Sequence, residues 1–112
     1  MPRPEKQDGT EVVEKAKSKT KRPRLFHVVL LNDDYTTMEF VVRILIELFH
    51  KNEMEAQRVM LDVHHRGHAT VGVFTRDVAE TKAAQAMDQA RLEGHPLKCT
   101  TEPEGGRGED AL

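Results

Sequence analysis

At 112 residues the chain has the length of one domain. Its single cysteine, Cys99, excludes an internal disulfide and gives no reason to expect an oxidising compartment. No apolar run approaches the ~20 residues of a membrane span and the polar N-terminus does not read as a signal peptide, so a cytoplasmic protein without a membrane partner is expected.

A net charge of −2 conceals an uneven distribution. Residues 1–24 carry eight Lys and Arg against four acids, whereas residues 25–100 carry eight basic and eleven acidic side chains. Poor in apolar residues, positions 1–23 cannot offset the entropy of ordering and read as a mobile extension. The basic run from Lys15 to Arg24 has no interleaved aromatic residue on which a base could stack, so nucleic acid is not an expected partner. Residues 24–103 form the folded domain, and 104–112, rich in glycine, a second flexible tail.

Leu25 to Leu31 is a near-continuous apolar run suited to a strand covered on at least one face. Thr36-Thr37-Met38-Glu39 has the pattern of a capping box with Thr36 as N-cap, opening a helix to about His50. That helix is polar only along Glu39, Arg43, Glu47 and His50, too narrow a stripe for a simple surface helix, so it must touch a core and something else. A second helix starts at Asn52, with Glu55 in the capping-box position, and stops at Gly67; its apolar stripe is Ala56, Val59, Met60 and Val63. A strand follows over about Ala69 to Phe74. A third helix starts after Asp77, with Glu80 three residues on, and ends at Gly94; its stripe of Ala79, Ala83, Ala86, Met87 and Ala90 allows close packing on a sheet. Leu97 to Thr101 makes the last strand. The fold class is α/β (α+β): one βααβαβ domain, a three-stranded sheet with helices packed against it.

Chemistry concentrates where the first strand ends. Asn32, Asp33 and Asp34 hold two carboxylates and an amide between a strand and a helix, a cluster better suited to a cation or a donor-rich group than to an anion. The same three residues also suit a loop in which Asx side chains bond their own backbone. Leu30, Leu31 and Met38 beside them suggest a ligand with an apolar part. His64, at the end of the second helix beside Val63, fits either a helix-terminal histidine or a pocket residue whose neutral imidazole accepts a hydrogen bond. His64, His65 and His68 do not make a metal site: Gly67 breaks the helix between them, and Cys99 stands alone. Neither a nucleophile with a visible base nor a glycine-rich phosphate loop is present, so no enzyme and no cofactor are expected.

The order N-D-D-Y-T-x-M-E-F (Asn32 to Phe40), M-L-x-V-H (Met60 to His64), G-V-F-T (Gly72 to Thr75), V-A-E-T-K (78–82) and H-P-L-x-C-T (His95 to Thr100) closely resembles ClpS, the bacterial adaptor that hands N-degron substrates to the Clp protease. The likeness spans about Pro23 to Glu102 and departs at Thr37, where the family usually has proline. It implies a monomeric peptide-recognition module. Asn32, Asp34 and His64 would bind a free α-amino group, with Asp33 adding negative field. Leu30, Leu31, Thr36, Met38, Val41, Met60, Val63 and Leu97 would line a hole for a first residue such as Leu, Phe, Tyr or Trp. Asp77, Glu80, Thr81 and Lys82 would dock the N-terminal domain of the ClpA unfoldase, which would engage the extension at 1–23. Glu80 alternatively caps the third helix, and Lys82 is alternatively an ordinary solvated side chain. A rival of another class is an interaction domain like the C-terminal domain of the ribosomal stalk protein, which leaves the acidic cluster and His64 without a role.

Overall fold

The computed structural model describes residues 23–105. The expected extension, save its last residue, and most of the expected C-terminal tail lie outside the described residues. The elements run β1 (Leu25–Leu31), α1 (Met38–Glu47), α2 (Glu53–Arg66), β2 (His68–Thr75), α3 (Arg76–Leu92) and β3 (Lys98–Pro103). β1 is the central strand, antiparallel to β2 on one side and β3 on the other. Its continuous apolar run suits that position, because a central strand is flanked on both edges and shielded even on its uncovered face.

Val28 and Leu30 project from β1 into the core, where Ile44 and Leu45 of α1, Ala56 and Met60 of α2 and the alanines of α3 meet them. Ala79, Ala83, Ala86 and Ala90 are all buried. Small side chains at that helical spacing let α3 approach the sheet closely, while Met87 is only half-buried at the margin. Between Val28 and Val29 the register with β2 shifts, leaving Val71 as an extra residue on β2. Ala69 and Val71 (1% exposed) alternate inward as a simple strand would, and the bulge then shifts the phase, so that Val73 is exposed and Phe74 packs against the core. Cys99 pairs with Leu30 across β3, and burial pushes its thiol up to about 12, which leaves it protonated and inert at neutral pH.

Several expected boundaries move. The N-cap of α1 is Thr37, whose hydroxyl accepts from the Phe40 amide at 3.1 Å, and not Thr36. α1 ends at Glu47, short of His50, because His50 adopts a left-handed φ of 58° and the Lys51 amide returns to the Leu45 carbonyl. α3 begins at Arg76, not after Asp77: β2 pairs with β1 as far as Thr75, and the helix starts as soon as that pairing ends. Asp77 therefore sits in the first turn, where a negative charge complements the helix dipole, and Glu80 is no capping partner. β2 extends one residue beyond the expected limits at either end, whereas β3 starts one residue late at Lys98 and runs on to Pro103.

α2 follows its sequence signals closely. Asn52 caps it by accepting from the Glu55 amide at 2.8 Å, and Gly67 ends it at φ 94°. A Cβ at Gly67 would meet no atom within 4 Å, so the demand for glycine there is purely conformational. We expect Gly67→Ala to destabilise the domain by about 1–2 kcal/mol, the cost of a left-handed L-residue. A lower urea midpoint at unchanged m-value would show it.

Candidate functional site

The loop between β1 and α1 is built by one carboxylate. Asp33 Oδ1 accepts from the backbone amides of Tyr35 (2.8 Å) and Thr36 (2.7 Å), and Oδ2 accepts from the Thr36 hydroxyl (2.7 Å). The Thr36 side chain is thereby committed, which is why the helix cap passes to Thr37. Partial burial alone would raise the Asp33 pKa. The three donors from Thr36 and Tyr35, together with the nearby charge of His95, outweigh that and hold it below the usual carboxylate value.

A second bond places the loop against α2. The Asn32 amide donates to the Gly67 carbonyl at 2.9 Å, joining the end of β1 to the end of α2. His64, one turn before Gly67, is thus brought beside Asn32 and Asp34 at the negative end of the helix dipole. The side chains of Asn32, Asp34 and His64 are exposed, and their acceptor atoms are open to a ligand.

These groups form one wall of a cavity of about 260 Å³. Asn32, Asp33, Asp34, Thr36 and His64 supply its polar side. Met38 and Val41 of α1 and Met60 and Val63 of α2 supply its apolar side. The lining contains acids but no lysine or arginine. Such an arrangement can accept several hydrogen bonds from a positively charged donor while holding an apolar group beside it.

Nine of the twelve residues expected at the amine and apolar sites thus converge. Three do not. Leu30 is 0% exposed and Leu97 4%, both inside the core, and Leu31 points to the opposite face of the sheet from Leu30. A continuous apolar run does not announce which of its members face a cavity. Asp77, Glu80 and Thr81 are exposed along α3 as a docking surface requires. Lys82 is not an ordinary solvated side chain: it is half-buried, its Nζ donates to the Leu48 carbonyl at 2.7 Å, and it lies about 6 Å from the rings of Phe49 and Phe74. Among the described residues no cluster of three or more His, Cys, Asp and Glu could hold a metal ion, and no helix is long and apolar enough to cross a membrane.

Sequence reading overlooked a larger groove of about 550 Å³ between α1 and α2, with Val42 and Ile46 on one side and Glu53 and Gln57 on the other. Its only trace in the sequence is the surplus of apolar residues on α1.

The family profile described as ATP-dependent Clp protease adaptor protein ClpS matches residues 21–100. The chain belongs to the ClpS family. The ATP-dependent Clp protease adapter protein ClpS of Rhodospirillum centenum is 58% identical over 94 residues, covering 84% of this chain and 87% of that protein. Its counterpart in Deinococcus radiodurans is 56% identical over 88 residues, covering 79% and 78%. Among solved structures, Agrobacterium tumefaciens ClpS2 bound to L-phenylalaninamide aligns with a TM-score of 0.72 at 51% identity, over 74% of this chain and all of that one. The protein is therefore a ClpS-type adaptor of the Clp protease, with the ClpS fold. The ribosomal-stalk reading is not favoured by these matches.

The Asp33 geometry sets a pH dependence. A carboxylate whose folded pKa is depressed contributes stability fully present above its unfolded value of about 3.9, and loses it as pH falls through the lower folded value. Thr36→Val removes the hydroxyl donor. In that variant the Asp33 carboxyl should titrate closer to its ordinary value by NMR, and stability should depend less on pH across this acid window.

Proposed function

We propose that this adaptor captures proteins by a free N-terminal α-amino group followed by a large apolar first side chain, Leu, Phe, Tyr or Trp, and delivers them to the ClpA unfoldase. The observation that carries the reading is one cavity lined on one side by hydrogen-bond acceptors and on the other by methionine and valine side chains.

An α-ammonium has three donors and a positive charge. The Asn32 amide oxygen, the Asp34 carboxylate and an imidazole nitrogen of His64 supply acceptors, and the carboxyl-terminal end of α2 adds partial negative charge. Asp33 contributes field rather than a direct bond, since its carboxylate already accepts three hydrogen bonds from the loop. The first side chain enters the apolar part between Met38, Val41, Met60 and Val63. At about 260 Å³ the cavity is smaller than the ~300–1,000 Å³ typical of small-molecule sites, which suits one side chain. The mode is N-terminal amine capture. The phenylalaninamide bound by Agrobacterium tumefaciens ClpS2 has the same two parts, a free amine and an aromatic side chain.

Delivery uses another face. The exposed Asp77, Glu80 and Thr81 dock the N-terminal domain of ClpA, and Lys82 stiffens that face by tying α3 to the end of α1. Residues 1–23, with their basic excess, are the segment the unfoldase engages. ATP hydrolysis and peptide cleavage belong to the partners; the adaptor is a cytoplasmic monomer without cofactor or catalytic step.

Asp34→Ala and His64→Ala should each weaken binding of a Phe-initiated peptide at least about ten-fold, the loss of a charge-assisted partner. The same peptide acetylated at its N-terminus should not bind. Unchanged affinity in both variants, measured by fluorescence anisotropy, would remove the amine site.

Deleting residues 1–23 should leave peptide affinity and unfoldase docking intact and abolish degradation of a Leu-initiated substrate by the Clp machine. Full degradation by the shortened chain would assign the extension no role in delivery.

A further inference from the structure

The groove between α1 and α2 is continuous with the candidate amine-binding cavity. Met38 and Met60 line both. From this shared wall the groove follows Val42 and Ile46 along α1 toward Glu53 at the start of α2. Val42 and Ile46 are only half-buried, packed against the core but not enclosed by it. Met38 at the junction remains 43% exposed.

The spacing of this apolar floor matches an extended peptide. Along a helix, Val42 lies about 6 Å and Ile46 about 12 Å beyond Met38. In an extended chain, residues 3 and 5 lie about 7 Å and 13 Å beyond residue 1, and all three side chains point the same way. A ligand whose first side chain fills the cavity therefore sets its third over Val42 and its fifth over Ile46.

Charge distinguishes the two positions. The Arg43 guanidinium in the groove is already paired with Glu93 and lies near Glu47. Glu47 and Glu53 flank the Ile46 end. A lysine or arginine there can lay its methylenes on Ile46 and its charge between the two carboxylates.

We propose that this groove is an extended recognition site for the peptide that follows the N-terminal residue, favouring an apolar third residue over Val42 and a basic fifth residue over Ile46. The proposal rests on the amine-capture reading above. It adds a selection among substrates that share the same first residue.

The test compares Phe-Ala-Leu-Ala-Lys with its Leu→Ala and Lys→Ala relatives by anisotropy competition, with phenylalaninamide as a ligand that occupies only the cavity. The wild-type protein should prefer Leu over Ala at the third position by about five-fold, the return on half-burying a leucine side chain. Val42→Ser should bring that ratio near one while phenylalaninamide binding persists. Glu53→Lys should abolish the preference for a basic fifth residue and leave the third-position ratio in place. Equal affinities for the three peptides in the wild type, or a third-position ratio that survives Val42→Ser, would overturn the proposal while leaving the cavity assigned. Failure of phenylalaninamide to bind the wild type would instead remove the amine-capture reading, and this one with it. A dimer in sedimentation that Val42→Ser dissociates, with no third-position ratio, would give the groove to a second copy of the chain and overturn the proposal.

Discussion

The hydrogen bond from the Asn32 amide to the Gly67 carbonyl is the junction on which the candidate site depends. β1 and α2 are separated by a helix and two loops in sequence, yet this bond joins their ends at 2.9 Å. It satisfies one strand-end donor and one helix-end acceptor that would otherwise need water. Glycine at the left-handed position turns that carbonyl away from α2's own axis toward the strand. With the two ends joined, an amide and carboxylates from the strand side face an imidazole from the helix side. The apolar flanks of α1 and α2 then close the space beneath.

Two adjacent carboxylates play different roles around this junction. Asp33 is turned inward onto three donors and fixes the path of the chain into α1, whereas Asp34 remains exposed beside the cavity. A loop that held both carboxylates outward would leave the Tyr35 and Thr36 amides to water and lose the bonds that fix its shape. The preorganisation of Asp34 thus derives from its neighbour. Phe40 reinforces the same region by packing its ring on that of His95, 4.5 Å between centres and tilted by 37°, which holds the start of α1 against the turn that follows α3.

Much of this was legible in the sequence, and the errors share physical causes. The order of elements, the Asn52 and Gly67 caps and the alanine stripe of α3 carry strong local signals, and each stands in the structure. Thr36 and Thr37 offer the same hydroxyl one residue apart, so choosing the cap required knowing that Asp33 would claim the first. The start of α3 is obscured because no loop separates it from β2, and Thr75 makes no side-chain cap bond. Leu30 and Leu97, expected at the cavity, are buried in the core and do not line it. The α1–α2 groove was visible only as an unexplained surplus of apolar surface, since its other half comes from a helix whose placement no local pattern reveals.

Thr37 carries a consequence for how the start of α1 is held. Its backbone φ of −75° is one that proline, the residue expected here from the family resemblance, would adopt without strain. Proline would favour the folded form by narrowing the conformations open to the unfolded chain. Threonine instead adds a bond that exists only in the native state, from the Phe40 amide to its hydroxyl. The same corner can thus be held by an entropic device, as proline would hold it, or by an enthalpic one, as threonine does here. The two respond oppositely to heat, because a conformational restriction gains weight with temperature while a single hydrogen bond loses it.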